Sequence, residues 1–126
     1  MLFSNETDYA IRIVACLAER EGKTDAGSIA SITGVTPQFT LKILRKLMAA
    51  GIVRSYKGAQ GGYSLARASG EITLLEVVET INGPIAVSRC QHNPSGCTHP
   101  KGVCRYRDIF ADASSYMRDK FASVTF

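Results

Sequence analysis

Apolar residues recur at intervals of three and four along the first half of the chain, which is the spacing of amphipathic helices. Residues 6–20 form the first such segment, and residues 25–33 form a second, shorter one. A third begins with Thr36 as a candidate N-cap and Pro37 at the first helical position, and it runs to Gly51. The pattern therefore predicts three helices in close succession.

The pattern changes after the third helix. Residues 52–57 and 62–67 have the composition of two short strands, and the segment 58–61 between them reads GAQG. A glycine-rich link between two strands predicts a β-hairpin with a narrow tip. A helix, a short helix, a turn, a helix and then a basic hairpin follow one another in the order of a winged helix–turn–helix.

Two further helices are predicted in the second half. Thr73 and Glu76 form a capping box, which opens a helix that extends through Ile81. Residues 105–122 form an amphipathic helix, and such an apolar stripe either packs within the monomer or pairs with the same helix of a second chain. Its candidate interface residues are Tyr106, Ile109, Phe110, Ala113, Tyr116, Met117 and Phe121. We expect a mainly α fold with a small β hairpin, in which a winged helix–turn–helix precedes a long C-terminal dimerisation helix.

Charge is distributed unevenly along the 126 residues, whose net charge is +4. No acidic residue occurs between Asp25 and Glu71, whereas six basic residues lie there. A basic block in an otherwise balanced chain indicates a polyanionic partner, and a solvated basic face is the alternative. The sequence contains no apolar run long enough to span a membrane and no recognisable signal peptide, so we expect a cytoplasmic protein.

Double-stranded DNA is the partner that this combination favours, because an α-helix fits the major groove and its first residues reach base edges. The narrow hairpin tip is suited to approach the DNA backbone or to enter the minor groove. The candidate DNA contacts are Thr36, Gln38, Thr40, Lys42, Arg45, Lys46, Arg54, Lys57 and Gln60.

Three cysteines lie in the segment CQHNPSGCTHPKGVC, which spans residues 90–104. Six residues separate Cys90 from Cys97 and Cys97 from Cys104, whereas structural zinc sites use closer pairs. A loop of this kind fits an iron–sulfur cluster held by thiolates. Zinc binding and three free thiols are the alternatives. We expect residues 1–83 to bind DNA, 84–104 to hold the metal and 105–126 to dimerise.

Four segments carry a resemblance to a known family: TDYAIR at 7–12, LKILRKLMAAGIV at 41–53, KGAQGGYSLAR at 57–67 and the triple-cysteine loop. The chain resembles the winged-helix iron–sulfur transcription regulators typified by IscR and NsrR over nearly its whole length. The resemblance implies a homodimer that is paired through the terminal helix and binds operator DNA. It also implies that the three cysteines hold an iron–sulfur cluster, of either the 2Fe–2S or the 4Fe–4S type.

The fourth cluster ligand is an open question. IscR-like members have a histidine at the position that Arg107 occupies here, and arginine is a poor ligand because it stays protonated. NsrR-like members use an N-terminal aspartate from the partner subunit, and Asp8 lies at that position. His99 and His92 are the alternatives. Asp8 could instead serve only to complement the dipole of the first helix.

The resulting hypothesis is a homodimeric DNA-binding regulator, acting as a repressor, whose cluster senses nitric oxide, redox state or iron and cluster supply. The alternatives are a zinc- or thiol-dependent regulator without a cluster and a small cluster carrier. We expect no enzymatic activity, since the chain contains no CxxC pair, phosphate-binding glycine motif or nucleophile–base arrangement.

Overall fold

A computed structural model describes residues 3–88 and 104–126 of the chain. In these two ranges the chain forms five α-helices and a two-stranded antiparallel sheet. The elements are α1 (Asn5–Ala18), α2 (Ala26–Thr33), α3 (Pro37–Ala49), β1 (Val53–Tyr56), β2 (Gly62–Leu65), α4 (Leu74–Asn82) and α5 (Arg107–Ala122). This order confirms the predicted fold class. None of these helices is both long enough and apolar enough to cross a bilayer.

Side-chain caps fix where most of the helices begin. The Thr36 hydroxyl accepts a hydrogen bond from the backbone N–H of Phe39 at the start of α3, and the Thr73 hydroxyl accepts one from that of Glu76 at the start of α4. The Asp25 carboxylate caps α2 in the same way. Each cap pairs an N–H that has no partner within its helix, so the chain direction changes where the sequence predicts it.

A single apolar core joins the helices to the hairpin. Helix α1 lies at its centre and contacts α2, α3 and α4. The side chains that α1 and α3 contribute to this core include the completely buried Ile13, Val14, Ile43, Leu44 and Leu47. Because α3 is anchored by one apolar face, its opposite face is left at the surface.

The hairpin, called the wing below, comprises β1, β2 and the tip at residues 57–61. Val53 pairs with Leu65 and Tyr56 with Gly62, so each strand is shorter than predicted. The wing is also paired with the residue before α2. Thr24 N–H donates to Tyr63 O at 2.9 Å, and Tyr63 N–H donates to Thr24 O at 2.8 Å.

The segment from α5 to Phe126 packs against the first part of the fold. Helix α5 packs on α4, and Arg118 forms an ion pair with Glu79 of α4 at 3.6 Å. Beyond α5, Leu74 N–H donates to Val124 O at 2.8 Å. The terminal helix is therefore attached to the winged helix within one chain.

Candidate nucleic-acid interface and metal site

Helix α3 presents a polar and basic face to solvent. Gln38, Lys42 and Arg45 are exposed on it, whereas Ile43, Leu44 and Leu47 are fully buried on the other side. The cap at Thr36 fixes the N-terminal end of α3, which is the end that enters the major groove in helix–turn–helix proteins.

The prediction that Thr40 contacts DNA is wrong. Its side chain is completely buried, so it cannot reach a base edge. Thr40 lies three, four and seven residues before Ile43, Leu44 and Leu47, which places it on the core face of α3. No hydrogen-bond partner of its hydroxyl is found in the described part of the chain.

Glu6, which the sequence did not indicate, forms ion pairs with two of the residues predicted to contact DNA, Lys42 and Lys46. Lys42 Nζ donates to Glu6 Oε1 at 2.5 Å, and Lys46 Nζ donates to Glu6 Oε2 at 2.9 Å. The hydrogen bonds from Lys42 and then Lys46 lower the pKa of the Glu6 carboxyl to about 2. Glu6 therefore remains ionised at neutral pH and offsets part of the positive charge on α3.

Aromatic and aliphatic side chains also reach the surface of α3. Phe39 is 41% exposed, and its ring centroid lies 5.8 Å from that of Tyr9 in α1. The Lys42 ammonium lies 5.8 Å from the centroid of the same Phe39 ring. Leu41 is exposed beside it. The outer face of α3 therefore offers apolar as well as basic contacts.

The wing carries the remaining predicted contacts. Arg54, Lys57 and Gln60 are all exposed. The tip folds back at Gly61, whose N–H donates to Gly58 O at 2.9 Å, and a Cβ added at Gly61 would lie 2.4 Å from Tyr56 O. The tip is therefore too tight for any residue but glycine at this position.

Lys23 joins the basic surface of the wing, although it lies outside the acid-free block. Its ammonium is 4.7 Å from the centroid of the Tyr56 ring. Hydrogen bonds with Ser64 and then Arg54 lower the pKa of the Tyr56 hydroxyl. Lys23 is brought to the wing by the pairing of its neighbour Thr24 with Tyr63, which is distant in sequence. The distribution of charge along the chain could therefore not show that Lys23 belongs to this surface.

Helix α5 divides the predicted dimer residues between two adjacent faces. Phe110, Met117 and Phe121 are half-buried toward the rest of the chain, and the Phe121 ring lies 5.9 Å from that of Phe3. A second row is exposed along the helix, and it consists of Tyr106, Ile109, Ala113 and Tyr116. One apolar row therefore packs inside the monomer, as one of the two options predicted, and the other row is uncovered.

Only part of the predicted metal site falls within the structure. Cys90, Cys97, His92 and His99 lie outside the described residues. Cys104 lies just before α5 and is half-buried with a free thiol. Among the residues that are described, no three candidate ligands cluster.

Asp8 is accessible to solvent and forms an ion pair with Arg12. Its Oδ2 lies 2.7 Å from Arg12 Nη2, one turn along α1, and both side chains are about half exposed. An exposed carboxylate held by an exposed ion pair is readily exchanged, because such pairs contribute little free energy. A half-buried thiol and an accessible carboxylate are compatible with thiolate and carboxylate ligation of iron.

Comparison with known proteins agrees with the fold. The chain matches the Rrf2 family, described as iron-dependent transcriptional regulators, over residues 3–126. An rrf2-like HTH-type transcriptional regulator of Rhodobacter capsulatus is 33% identical over 121 residues, which cover 88% of this chain and 80% of that protein. An NsrR of Halalkalibacterium halodurans is 25% identical over 121 residues, which cover 94% and 83%. Two Mycobacterium tuberculosis regulators are longer, and the match spans 56% of their length.

Solved structures show the same architecture. The IscR of T. potens superimposes with a TM-score of 0.80 at 21% identity, covering 99% of this chain and 82% of that one. The CymR of B. subtilis, described as its global cysteine regulator, gives a TM-score of 0.79 at 23% identity, covering 99% and 92%. With the family match over nearly every residue, these findings show that the chain belongs to the Rrf2 family of transcriptional regulators.

Proposed function

We propose that this protein is a homodimeric repressor that binds operator DNA through α3 and the wing. The observation that carries the proposal is the division of α3 into a fully buried apolar face and an exposed face that bears Gln38, Lys42 and Arg45. Gln38 lies in the first turn, from which side chains reach base edges, while Lys42 and Arg45 are one and two turns further along and suit phosphates. Arg54, Lys57 and Gln60 supply the contacts from the wing.

The second copy is proposed to cover the outer row of α5. Tyr106, Ile109 and Tyr116 are 52%, 60% and 72% exposed, which is unusual for three large side chains in one row. The same row in a second chain is apolar in the same way, so the two rows are self-complementary in a symmetric dimer. We assign residues 1–83 to DNA binding, 84–104 to the metal site and 105–126 to dimerisation.

Cys90, Cys97 and Cys104 are proposed to hold an iron–sulfur cluster, with Asp8 of the second copy as the fourth ligand. When bound, the cluster would supply a redox-active group that reacts with oxidants and nitric oxide. The protein's part is to provide three thiolates and an exchangeable carboxylate. To serve as a ligand, Asp8 would leave Arg12, which is exposed and can turn to solvent. His99 and His92 remain the alternative ligands.

Helix α1 is the proposed connection between the metal site and the DNA surface. Its first turn carries both Asp8, the proposed ligand, and Glu6, which contacts Lys42 and Lys46 of α3. A displacement of α1 that accompanies engagement of Asp8 would therefore act on the basic face of α3.

The test is anaerobic purification with analysis of iron, acid-labile sulfide and zinc, followed by selection of bound sequences from a random duplex library. Iron and sulfide in near-equal amounts, together with enrichment of a palindromic sequence, would support the proposal. Zinc without sulfide would exclude the cluster. Failure to enrich any sequence in any metal state would exclude operator binding.

A thiol-dependent regulator without a cluster is the second candidate, and the half-buried free thiol of Cys104 favours it. In that case a reversible change in operator affinity on treatment with peroxide and then dithiothreitol would occur in protein free of iron and sulfide. The same metal analysis therefore separates the two candidates.

A further inference from the structure

The two lysines of α3 are both paired with one carboxylate. Lys42 and Lys46 are four residues apart, so they lie on the same side of the helix. Each donates to a different oxygen of Glu6, at 2.5 and 2.9 Å. Both acceptor oxygens are thus used, and the Glu6 side chain is only 24% exposed. These two ion pairs of Glu6 with Lys42 and Lys46 link α1 to α3, and they are called the clamp below.

The clamp involves groups that are needed elsewhere if α3 binds DNA. An ammonium that neutralises a backbone phosphate releases condensed counterions, and this sequence-independent gain supplies most of non-specific binding. A lysine paired with Glu6 makes that contact only by leaving the carboxylate or by sharing its protons with it. Arg45, which lies between the two lysines, has no ion-pair partner in the described ranges.

We propose that Glu6 competes with DNA phosphates for Lys42 and Lys46 and thereby limits binding to non-specific DNA. This inference rests on the proposed DNA-binding role of α3. The competition is constant at neutral pH, because the Glu6 carboxyl is ionised there even at the ordinary pKa of glutamate, and the two hydrogen bonds lower its pKa further. The base contact proposed for Gln38 does not involve either lysine, so Glu6 weakens phosphate binding more than base recognition.

The experiment measures the affinity of Glu6→Gln for a random-sequence duplex of fixed length, by fluorescence anisotropy at several salt concentrations. The protein is the full chain, purified anaerobically with its native metal content. Glutamine keeps the length of glutamate and one acceptor oxygen, so the variant loses the charge but little of the packing. We expect affinity to rise roughly three- to tenfold, because the two ion pairs with Glu6 no longer compete with phosphates.

The salt dependence gives a second readout. Each additional phosphate contact steepens the slope of log affinity against log salt by about 0.9. We therefore expect Glu6→Gln to steepen the slope by about 1 to 2. Glu71→Gln is the matched control, since it removes the same charge from an exposed turn outside α1 and α3. It reports the general effect of raising the net charge by one.

A double-mutant cycle assigns the gain to the two lysines. In a Lys42→Gln, Lys46→Gln background, Glu6→Gln is expected to give no more than the Glu71→Gln control gives. An unchanged or weaker affinity in the Glu6→Gln single variant would overturn the competition and make Glu6 a residue that positions the lysines for DNA. If the wild type binds no duplex even at low salt, the DNA-binding proposal itself fails, which is a different result.

Discussion

Helices α3 and α5 are both amphipathic, but their apolar sides are buried to different extents. In α3 the apolar side is fully enclosed, with Ile43, Leu44 and Leu47 completely buried. In α5 only Ser114 is buried, while Ile109 and Tyr116 are largely exposed. An enclosed apolar face means that the helix is positioned by its own chain. A half-covered one leaves an apolar row available to another surface, which we propose to be a second copy.

The largest expected effect is on the enclosed side of α3. Leu47→Ala removes a fully buried side chain from the core, and we expect it to lower the free energy of unfolding by about 3 kcal/mol. Urea denaturation followed by circular dichroism measures this. Ala49→Ser, at an exposed position of the same helix, is the control and should change stability by less than about 0.5 kcal/mol. A Leu47→Ala variant as stable as the wild type would show that α3 is not anchored by this face.

The uncovered side of α5 is expected to respond through association rather than folding. Ile109→Asp places a charge in the exposed apolar row, and we expect it to weaken dimerisation by about 2 kcal/mol, or roughly thirtyfold in the dissociation constant. Analytical ultracentrifugation across a concentration series measures the shift. Ser115→Asp introduces the same charge at an exposed position about 120° around α5 from Ile109, and it should leave the dissociation constant unchanged. A monomeric wild type, or a dimer indifferent to Ile109→Asp, would contradict the proposed interface.

A smaller effect is expected at the one polar side chain on the enclosed face of α3. Thr40→Val removes a buried hydroxyl that has no partner among the described residues, so we expect the free energy of unfolding to rise by about 1 kcal/mol. Thermal unfolding of the two proteins provides the comparison. A lower melting temperature for Thr40→Val would show that the hydroxyl is hydrogen-bonded, and Thr40→Ser would then retain most of the stability.

The smallest effect concerns the exposed side of α3 and its dependence on pH. The folded protein holds the pKa of Glu6 at about 2, below its ordinary value of 4.5. A lowered pKa stabilises the fold above pH 4.5, and this contribution is lost as the pH falls from 4.5 through 2. The stability difference between the wild type and Glu6→Gln should therefore be constant from pH 5 to 7 and shrink below that range. A difference that stays constant down to pH 2.5 would show that the lysine contacts do not lower the pKa.

The sequence predicts α3 and its caps because these features are local. Thr36, Pro37 and the apolar spacing are all read within one helix. The burial of Thr40 is also readable there, since Thr40 shares the three-and-four spacing of Ile43 and Leu44, but a polar residue early in a recognition helix suggests a DNA contact instead. The apolar spacing alone therefore places Thr40 in the core, and the prediction of a DNA contact came from its polar side chain.

Other parts of the site depend on distances that no local pattern contains. Glu6 and Lys42 are 36 residues apart in sequence, so their contact can be predicted only if the packing angle between α1 and α3 is known. Helix α5 illustrates the same limit, because its seven apolar residues fit one broad stripe in the sequence. The packing on α4 and on Phe3 decides which of them are covered. The proposed fourth ligand likewise depends on assembly, since Asp8 would have to come from a second chain.

The paired backbone groups of Thr24 and Tyr63 have a mechanical consequence. The wing cannot tilt against the start of α2 without breaking two hydrogen bonds, at 2.8 and 2.9 Å. Gly62 tightens this joint, because a Cβ there would lie 3.0 Å from the Thr24 carbonyl. These contacts tie the wing to the helix–turn–helix. In the proposed dimer, we therefore expect a change in the distance between two operator half-sites to arise from rotation of whole subunits about the paired α5 helices, and not from bending of the wing.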